Sequence, residues 1–387
     1  MIPLSYSARS ILRRRFSAAA TTFGLALVVF VFAAVLMLAS GVEETLRSTG
    51  SPDNAIVLRK GATSELTSFV PREAAKAIAA DPAVAIEGGR QVASPELFVI
   101  FQLVREGGSE SANVAFRGVT KDGFELLRSH SVHLVQGRLP QWGTSEVMLG
   151  RATLGRYHGA RVGDSISIAR RQWQVVGVFE AGGSGFESEI WADADQIADA
   201  AHRTGYSTLT VQLKNRSDLD ALKTTLDTDP RWNVEAKRED RFYEEMSGQL
   251  AGFIRGLGTA IAIFFSFGAV LGAMITMYAQ VASRLREIGT LRALGFGRTA
   301  VLMSFLVEVL VLALAGAVLG CVCASLLSAL SFTTTNFSSF TEIKFKFHFT
   351  PRIGFAATVF AVVMGIAGGL LPGIRAARLQ IAEATKG

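Results

Sequence analysis

Cysteine is almost absent from this chain, and its two cysteines, Cys321 and Cys323, both lie inside an apolar run. The long polar segment from Glu43 to Arg255 contains none, so it cannot depend on disulfides for stability. We interpret the pair as small core residues. Charged residues are also scarce at 19%, whereas 49% of the residues are hydrophobic and the mean hydropathy is +0.33. This composition excludes a single soluble globule of 387 residues.

The motifs of several common catalytic sites are missing as well. No Gly-Lys-Ser/Thr occurs, which excludes a Walker A loop within this sequence. There is no HExxH zinc motif and no GxSxG nucleophile elbow. His130 and His133 are three residues apart, but no Glu lies between them and no Cys is near. We therefore expect a chain that is not catalytic alone and binds neither metal nor cofactor of its own.

What the sequence does contain is four long apolar runs, and about 20 apolar residues suffice to cross a bilayer. The first run imitates a signal peptide, but it is too long for one and three further runs follow. We predict an α-helical membrane protein with four transmembrane helices plus an α+β extracytoplasmic domain inserted between helices 1 and 2. The predicted segments are a cytoplasmic N-terminal segment at 1–15, transmembrane helix 1 at 16–42, the extracytoplasmic domain and stalk at 43–250, transmembrane helix 2 at 251–283, a cytoplasmic loop helix at 284–298, transmembrane helix 3 at 299–330, a short extracytoplasmic loop at 331–352, transmembrane helix 4 at 353–374 and a cytoplasmic C-terminus at 375–387.

Arginine and lysine beside the runs predict the orientation. The formal net charge of +6 does not come from one dense basic and aromatic patch, so we expect no nucleic-acid partner. By the positive-inside rule, the short cationic segments are cytoplasmic, and both termini with them. These cations are Arg9, Arg13, Arg14, Arg15, Arg284, Arg286, Arg292, Arg298, Arg375, Arg378 and Lys386.

The polar segment has the pattern of a mixed domain. Runs rich in β-branched or aromatic residues predict strands at Asn54–Leu58, Leu97–Val104, Asn113–Val119, Ser165–Ile168, Gln172–Phe179 and Thr208–Leu213. Helical spacing predicts helices at Pro71–Ala80, Asp193–Thr204 and Ser217–Asp229. From Glu235 to Arg255 the chain is charged and then amphipathic, which indicates a helix that continues into the second span.

The loop between spans two and three has an apolar residue every three positions: Leu285, Ile288, Leu291 and Leu294. As a short helix it presents one apolar stripe with cations mostly at its sides. Such a helix suits a groove on a cytoplasmic partner as well as an anionic membrane surface, and periodicity does not choose between them. Three glycines are predicted turn residues, with Gly295 ending the helix: Gly289, Gly295 and Gly297.

Two features inside the spans need an explanation. Glu308 lies about two turns into the third span, where an ionisable side chain is costly unless it is paired, so we expect an arginine of the preceding loop as its counterpart. Pairs of glycines four residues apart let helix backbones approach closely. These predicted packing residues are Gly268 and Gly272, Gly316 and Gly320, and Gly365 and Gly369.

The segment REIGTLRALG at Arg286–Gly295, followed by a span with Glu308, resembles the signature of MacB-type (FtsX-like) ABC transporter permeases. The N-terminal Ser10–Arg15 and the C-terminal Pro372–Arg378 and Ile381–Ala384 resemble the family's ends. The resemblance implies that the loop helix contacts a separate ATPase through Leu285, Arg286, Glu287, Ile288, Leu291, Arg292 and Leu294. We expect the ATPase to be a separate chain, and ATP and Mg would be bound by that partner.

The implied protein is a permease subunit that couples ATP hydrolysis to motion of its exported domain and drives efflux from the periplasm or outer leaflet. It would reside in a bacterial inner membrane with two ATPase copies and a second permease copy, identical or paralogous. Membrane lipid surrounds it, and a two-membrane cell would add a periplasmic adaptor and an outer-membrane channel. The alternatives are lipoprotein or lipid extraction, and a non-transporting FtsX-like mechanotransducer that regulates a cell-wall hydrolase.

Overall fold

The computed structural model describes residues 15–229, 231–335 and 341–378. The expected N-terminal motif at Ser10–Arg14, the C-terminal motif at Ile381–Ala384, and both Arg9 and Lys386 lie outside these residues. The chain divides into two compact units. One contains Gly41–Ala251 together with Ser331–Lys346, and the other contains Gly252–Leu330 with the segments nearer the two termini.

The helices are α1 (Arg15–Arg47), α2 (Arg72–Ala79), α3 (Lys121–Leu126), α4 (Ala194–Ala201), α5 (Leu219–Thr228), α6 (Glu239–Ser283), α7 (Leu285–Ala293), α8 (Arg298–Leu326) and α9 (Pro351–Arg378). In the described part of the chain, α1, α6, α8 and α9 are long and apolar enough to cross a membrane. The predicted fold class is confirmed: four such helices, with an α+β domain between the first and the second. The predicted segment boundaries remain predictions, because helix ends do not mark a membrane surface.

The strands are β1 (Asn54–Arg59), β2 (Ile86–Glu87), β3 (Arg90–Gln91), β4 (Ala93–Val104), β5 (Ser111–Val119), β6 (His133–Gly137), β7 (Glu146–Gly150), β8 (Ser165–Ile168), β9 (Arg171–Glu180), β10 (Glu189–Asp193), β11 (Thr208–Gln212), β12 (Val234–Arg238), β13 (Ser331–Thr335) and β14 (Glu342–Lys346). The main sheet has the order β12-β1-β11-β4-β5-β10-β7-β9-β6, and β8 pairs with β9. The β10–β5 and β7–β9 pairs are parallel.

Two apolar clusters bury this sheet. The first includes Phe116 and Trp173 and packs against α4, and the second includes Val57 and Leu222 of β1 and α5. Strands buried on both faces read as short, nearly continuous apolar runs, which is why several were predictable. Each cluster supplies the burial that holds its part of the domain together.

One prediction about the segments next to the spans is wrong, and another segment, predicted as a loop, contains paired strands. The helix expected from Glu235 begins only at Glu239, because Val234–Arg238 forms β12 and pairs with β1. The region 331–352 is not only a loop, because β13 and β14 pair as an antiparallel hairpin with Thr333 opposite Lys344. The alternation of polar and apolar residues in Glu342–Lys346 was the signal for a strand.

Glycines set how closely the apolar helices pack. A Cβ on Gly316 would lie 3.1 Å from the Thr22 carbonyl oxygen of α1, and one on Gly320 would lie 2.7 Å from that of Ala26. Gly365 and Gly369 face α8 in the same way, with a Cβ 2.8 Å from side-chain atoms of Ala313 and Val309 respectively. These two predicted glycine pairs lie at helix contacts.

The third pair differs. A Cβ on Gly268 or Gly272 would meet nothing within 4 Å among the described residues. This pair of α6 therefore makes no close helix contact inside the part of the chain that the structure describes.

The two kinds of glycine predict different mutational effects. Gly320→Leu must separate α8 from α1, since backbone rather than a flexible side chain opposes the new atoms, and we expect a loss of about 1–3 kcal/mol in stability. Gly24→Leu of α1, where a Cβ would meet nothing within 4 Å among the described residues, is the matched control and should leave thermal unfolding of the detergent-solubilised chain nearly unchanged. Equal effects of the two substitutions would contradict this packing.

Candidate functional site

The short helix α7 connects α6 and α8, and a buried ion pair fixes its first turn. Nη1 of Arg284 lies 3.1 Å from Oε2 of Glu308, which is only 3% exposed. Gln280 Nε2 donates a hydrogen bond to the other carboxylate oxygen. Arg284 is thus the loop arginine that pairs with Glu308. The carboxylate of Glu308 in α8 thus holds both the end of α6, through Gln280, and the residue before α7, Arg284.

One residue of the predicted contact stripe is not at the surface. Ile288 is 3% exposed and packs with Met277 and Val281 of α6 and with Val301 and Phe305 of α8. The predicted contact of Ile288 with an ATPase stays a prediction, and in this chain the side chain is buried rather than accessible. Its apolar side chain instead holds α7 against the neighbouring helices.

The rest of the stripe is more accessible. Leu294 is 72% exposed and Leu285 is 36% exposed. Leu291 is half-buried. Among the polar candidates, Arg286 and Glu287 are exposed and Arg292 is half-buried. The accessible face of α7 thus combines apolar and charged side chains, and its role in coupling stays a prediction.

The predicted turn glycines have three different roles. Gly295 has a φ of 92°, a left-handed conformation that ends the helix as expected. Gly289 lies inside α7 and is buried, so it is not a turn residue. Gly297 precedes α8 with a φ of −66°, which any residue can adopt.

A second candidate site, which the sequence analysis missed, is a buried ionic network in the α+β domain. Its charged members are at most 9% exposed in their side chains. They are Arg117, Arg128, Glu65, Glu96, Glu189 and Glu239. In the described ranges, no group of three or more His, Cys, Asp or Glu is placed to hold a metal ion.

Arg117 of β5 is bound by three carboxylates. Its Nη1 lies 2.7 Å from both Glu65 Oε1 and Glu96 Oε2, and its Nε lies 2.8 Å from Glu189 Oε2. The indole Nε1 of Trp191 donates a further hydrogen bond to Glu189. These contacts join β4, β5 and β10 through polar side chains, in addition to the apolar packing of the same strands.

Arg128 extends the network to the first residue of α6. Its Nε lies 2.6 Å from Glu96 Oε1, and its Nη1 lies 2.7 Å from Glu239 Oε1. The other oxygen of Glu239 accepts hydrogen bonds from the Ser51 amide at 3.0 Å and from Asn54 Nδ2 at 2.8 Å. A carboxylate in the first turn also suits the positive end of a helix. The start of α6 and the chain following α1 are thus fixed to the same buried charges.

The network has more carboxylates than cations, namely four against two guanidinium groups. Burial raises the pKa of Glu189, although Arg117 opposes that shift. Burial would also raise the pKa of Glu96, but Arg128 and Arg117 outweigh it and lower that pKa. Burial and the nearby Glu65 raise the pKa of Tyr243 well above its ordinary value. Removing one partner from such a network leaves an uncompensated buried charge.

A signal for the network was present in the sequence. Arg117 interrupts the apolar run Asn113–Val119, and Glu96 precedes another at Leu97. A charged residue inside a strand that is buried on both faces must be paired. Which carboxylate pairs with which arginine depends on tertiary contacts between 21 and 111 residues apart in sequence.

Neutralising Glu96 should be costly, because it serves both arginines. We expect Glu96→Gln to lower the free energy of unfolding at pH 7 by about 3–5 kcal/mol. Trp142, Trp173, Trp191 and Trp232 all lie in the α+β domain, so denaturant titration followed by tryptophan fluorescence reports on this domain. Asp227→Asn removes an exposed ion pair with Lys60 and is the matched control. A similar loss in both variants would contradict the assignment.

The two pKa directions predict opposite pH effects. The stabilisation from Glu96 is present above the ordinary carboxyl pKa and is lost as the pH falls through its lowered pKa. That from Glu189 is present below the ordinary value and is lost as the pH rises through its raised pKa. The quantity to follow is the free energy of unfolding of the unsubstituted protein minus that of the variant. On acidification this difference should fall for Glu96→Gln and rise for Glu189→Gln. Parallel changes in the two differences would show that these directions are wrong.

Comparison with known proteins gives two family matches. The model of the MacB-like periplasmic core domain matches residues 18–228, and that of the FtsX-like permease C-terminal region matches residues 259–381. The macrolide export ATP-binding/permease protein MacB of Brucella abortus is 28% identical over 245 residues, which are 58% of this chain and 35% of that protein. The chain thus spans about a third of the length of such relatives.

Two further similarities complete the comparison. An uncharacterized ABC transporter permease of Methanocaldococcus jannaschii is 25% identical over 237 residues, covering 59% of this chain and 58% of that protein. The crystal structure of the periplasmic region of MacB from Actinobacillus actinomycetemcomitans covers 52% of this chain and 94% of that one. Its sequence identity is 14% and its TM-score is 0.37.

Proposed function

Because the chain belongs to the family of permeases with a MacB-like periplasmic core domain and an FtsX-like C-terminal region, we propose that it is the transmembrane subunit of an ABC transporter. In this proposal a cytoplasmic ATPase binds α7, and its cycle of ATP hydrolysis moves the α+β domain. ATP and Mg are bound by that ATPase, and this chain contributes no catalytic group. The proposal places both termini and α7 in the cytoplasm, which the distribution of cations in the short segments supports.

The continuity of α6 is the observation that carries this proposal. The helix runs from Glu239, which Arg128 binds in the buried network, to Ser283, next to the Glu308-bound Arg284. A buried ion pair therefore fixes the chain at each end of the helix, Arg128–Glu239 at the start and Arg284–Glu308 just after the end. Breaking a buried pair is costly. An unbroken helix of this kind can transmit a displacement from α7 to the domain.

The face of α7 supports a protein partner. Leu294 and Leu285 are accessible apolar residues beside exposed Arg286 and Glu287. Such a mixture matches the apolar centre and charged rim of protein interfaces.

A second permease copy is the other proposed partner. Gly268 and Gly272 leave open space along α6, so a neighbouring helix can approach its backbone closely. The second copy can be identical or a paralogue. The named exporter among the relatives supports efflux as the direction of work, with an adaptor and outer-membrane channel in a two-membrane cell. Lipoprotein or lipid extraction and regulation of a wall hydrolase use the same transmission and differ only in what the domain contacts.

The contact with the ATPase is tested by Leu294→Asp. A charge at this exposed position would have to lose its hydration in the interface, so we expect at least about a tenfold loss of co-purified ATPase in mild detergent. Leu291→Asp should act in the same direction. Leu294→Met, which keeps the position apolar, is the matched control and should retain the partner and its ATP turnover.

Ile288→Asp is not a clean test, because its side chain is buried against α6 and α8. Co-purification of a P-loop ATPase that is lost only with the aspartate variants would support the proposal. Recovery of the chain without any ATPase, or equal recovery with Leu294→Asp, would contradict it.

A further inference from the structure

The carboxylate of Glu342 makes several of the contacts between the β13–β14 hairpin and the rest of the α+β domain. The Nη2 of Arg156 lies 2.7 Å from Glu342 Oε2, and the Tyr157 hydroxyl donates to the same oxygen at 3.1 Å. Arg105 binds the other oxygen. The amide of Lys344 donates a hydrogen bond to Ser188 Oγ at 3.1 Å. One hairpin residue is thus bound by two arginines and a phenol from other parts of the domain.

Tyr157 adds to this contact. Its phenol is buried, and burial together with the facing carboxylate of Glu342 raises its pKa to about 12. The phenol therefore remains a hydrogen-bond donor at any physiological pH. The charged and titratable groups facing Glu342 are Arg105, Arg156 and Tyr157.

The hairpin attachment differs from the one at Glu239 in its exposure to water. The side chains of Arg105 and Arg156 are 46% and 28% exposed, whereas those of Arg117 and Arg128 are 0% and 2% exposed. Partly exposed ion pairs are screened by water and salt, and their partners regain hydration when they separate. Fully buried pairs have no such compensation. The same domain therefore contains one ionic attachment whose arginines are partly exposed to water and one whose arginines are buried.

A small cavity lies beside the hairpin attachment, and Glu342 is one of its lining residues. Its volume of 30 Å³ is sufficient for a water molecule. Leu46 and Thr49 at the end of α1, Tyr243 in α6, and Thr341 and Glu342 of the hairpin all line it. The hairpin thus closes a space that the ends of α1 and α6 also border, so its release would let water reach this junction.

We propose that Glu342 is a positioning residue that holds the hairpin on the α+β domain as a releasable attachment, while the attachment at Glu239 stays closed. The hairpin lies in the chain between α8 and α9. When it separates from the rest of the α+β domain, the domain loses the contacts that it makes with this connecting segment. The use of this release during an ATP cycle rests on the function proposed above. The release itself is a property of this chain alone.

Amide hydrogen exchange on the full chain in lipid nanodiscs, without any partner, tests the release. Two backbone amides are suited to comparison because each donates to a side chain across one attachment: Lys344 to Ser188 and Ser51 to Glu239. We expect the Lys344 amide to exchange at least about tenfold faster than the Ser51 amide, and faster still in high salt. Equal rates for the two amides would overturn the proposal.

Substitution tests the assignment to Glu342. Glu342→Gln should accelerate exchange at Lys344 by about tenfold and leave Ser51 unchanged, which also shows that the domain remains folded. The double substitution Arg105→Gln with Arg156→Gln should reproduce this effect from the other side. Asp227→Asn, which removes the exposed ion pair with Lys60, is the matched control and should change neither amide. Unchanged exchange at Lys344 in Glu342→Gln would overturn the proposal.

A disulfide tests the use of the release. Lys344→Cys with Ser188→Cys, in a chain with Cys321 and Cys323 replaced by Ser, should lock the hairpin. In the complex with the ATPase, the locked form should lose most of its ATP turnover and regain it on reduction. Equal turnover before and after reduction would show that release has no part in the cycle. If no ATPase co-purifies, the proposed function fails while the exchange experiment still decides whether the attachment opens.

Discussion

The ion pairs that Arg128 forms with Glu96 and Glu239 are the contacts on which the rest of the account depends. All three side chains are at most 2% exposed, so separating these charges would be costly. Glu96 also binds Arg117, and Glu239 also accepts hydrogen bonds from Ser51 and Asn54. The sheet, the start of α6 and the chain following α1 are therefore held at one point. A displacement of α6 at this point must be shared by the sheet, or the buried charges must separate at a large cost.

A smaller buried ionic contact lies at the opposite end of α6. Glu308 is an ionisable residue in an apolar helix, and it is tolerated because Arg284 and Gln280 satisfy it. Ile288 adds apolar contacts on the inner side of α7. The loop helix is thus fixed from within, while Leu294 and its neighbours remain accessible. The hairpin attachment at Glu342 is weaker because water reaches its arginines.

Local patterns were sufficient to predict much of the fold. The apolar runs predicted the four long helices, and runs such as Asn54–Leu58 and Thr208–Leu213 predicted strands close to the observed β1 and β11. Local patterns gave wrong predictions where tertiary contacts determine the secondary structure or the burial of a residue. The residues after Glu235 are charged and suit a helix, but pairing with β1 extends them into β12. Periodicity placed Ile288 and Leu294 on one stripe, whereas packing against α6 and α8 buries only the first. The buried network was missed because its partners are remote in sequence.

We propose that α6 transmits the state of a cytoplasmic ATPase to the α+β domain through the Arg128–Glu239 contact. Hydrogen exchange in the purified complex, with Mg-ATP and with ADP, tests this most directly when the unsubstituted chain is compared with Glu239→Gln. The account predicts that nucleotide changes exchange in the α+β domain of the unsubstituted chain. In Glu239→Gln the change should remain at α7 but disappear from the domain. The proposal would be contradicted if hydrogen exchange in the α+β domain did not change with nucleotide, or if it changed equally in the unsubstituted chain and in Glu239→Gln.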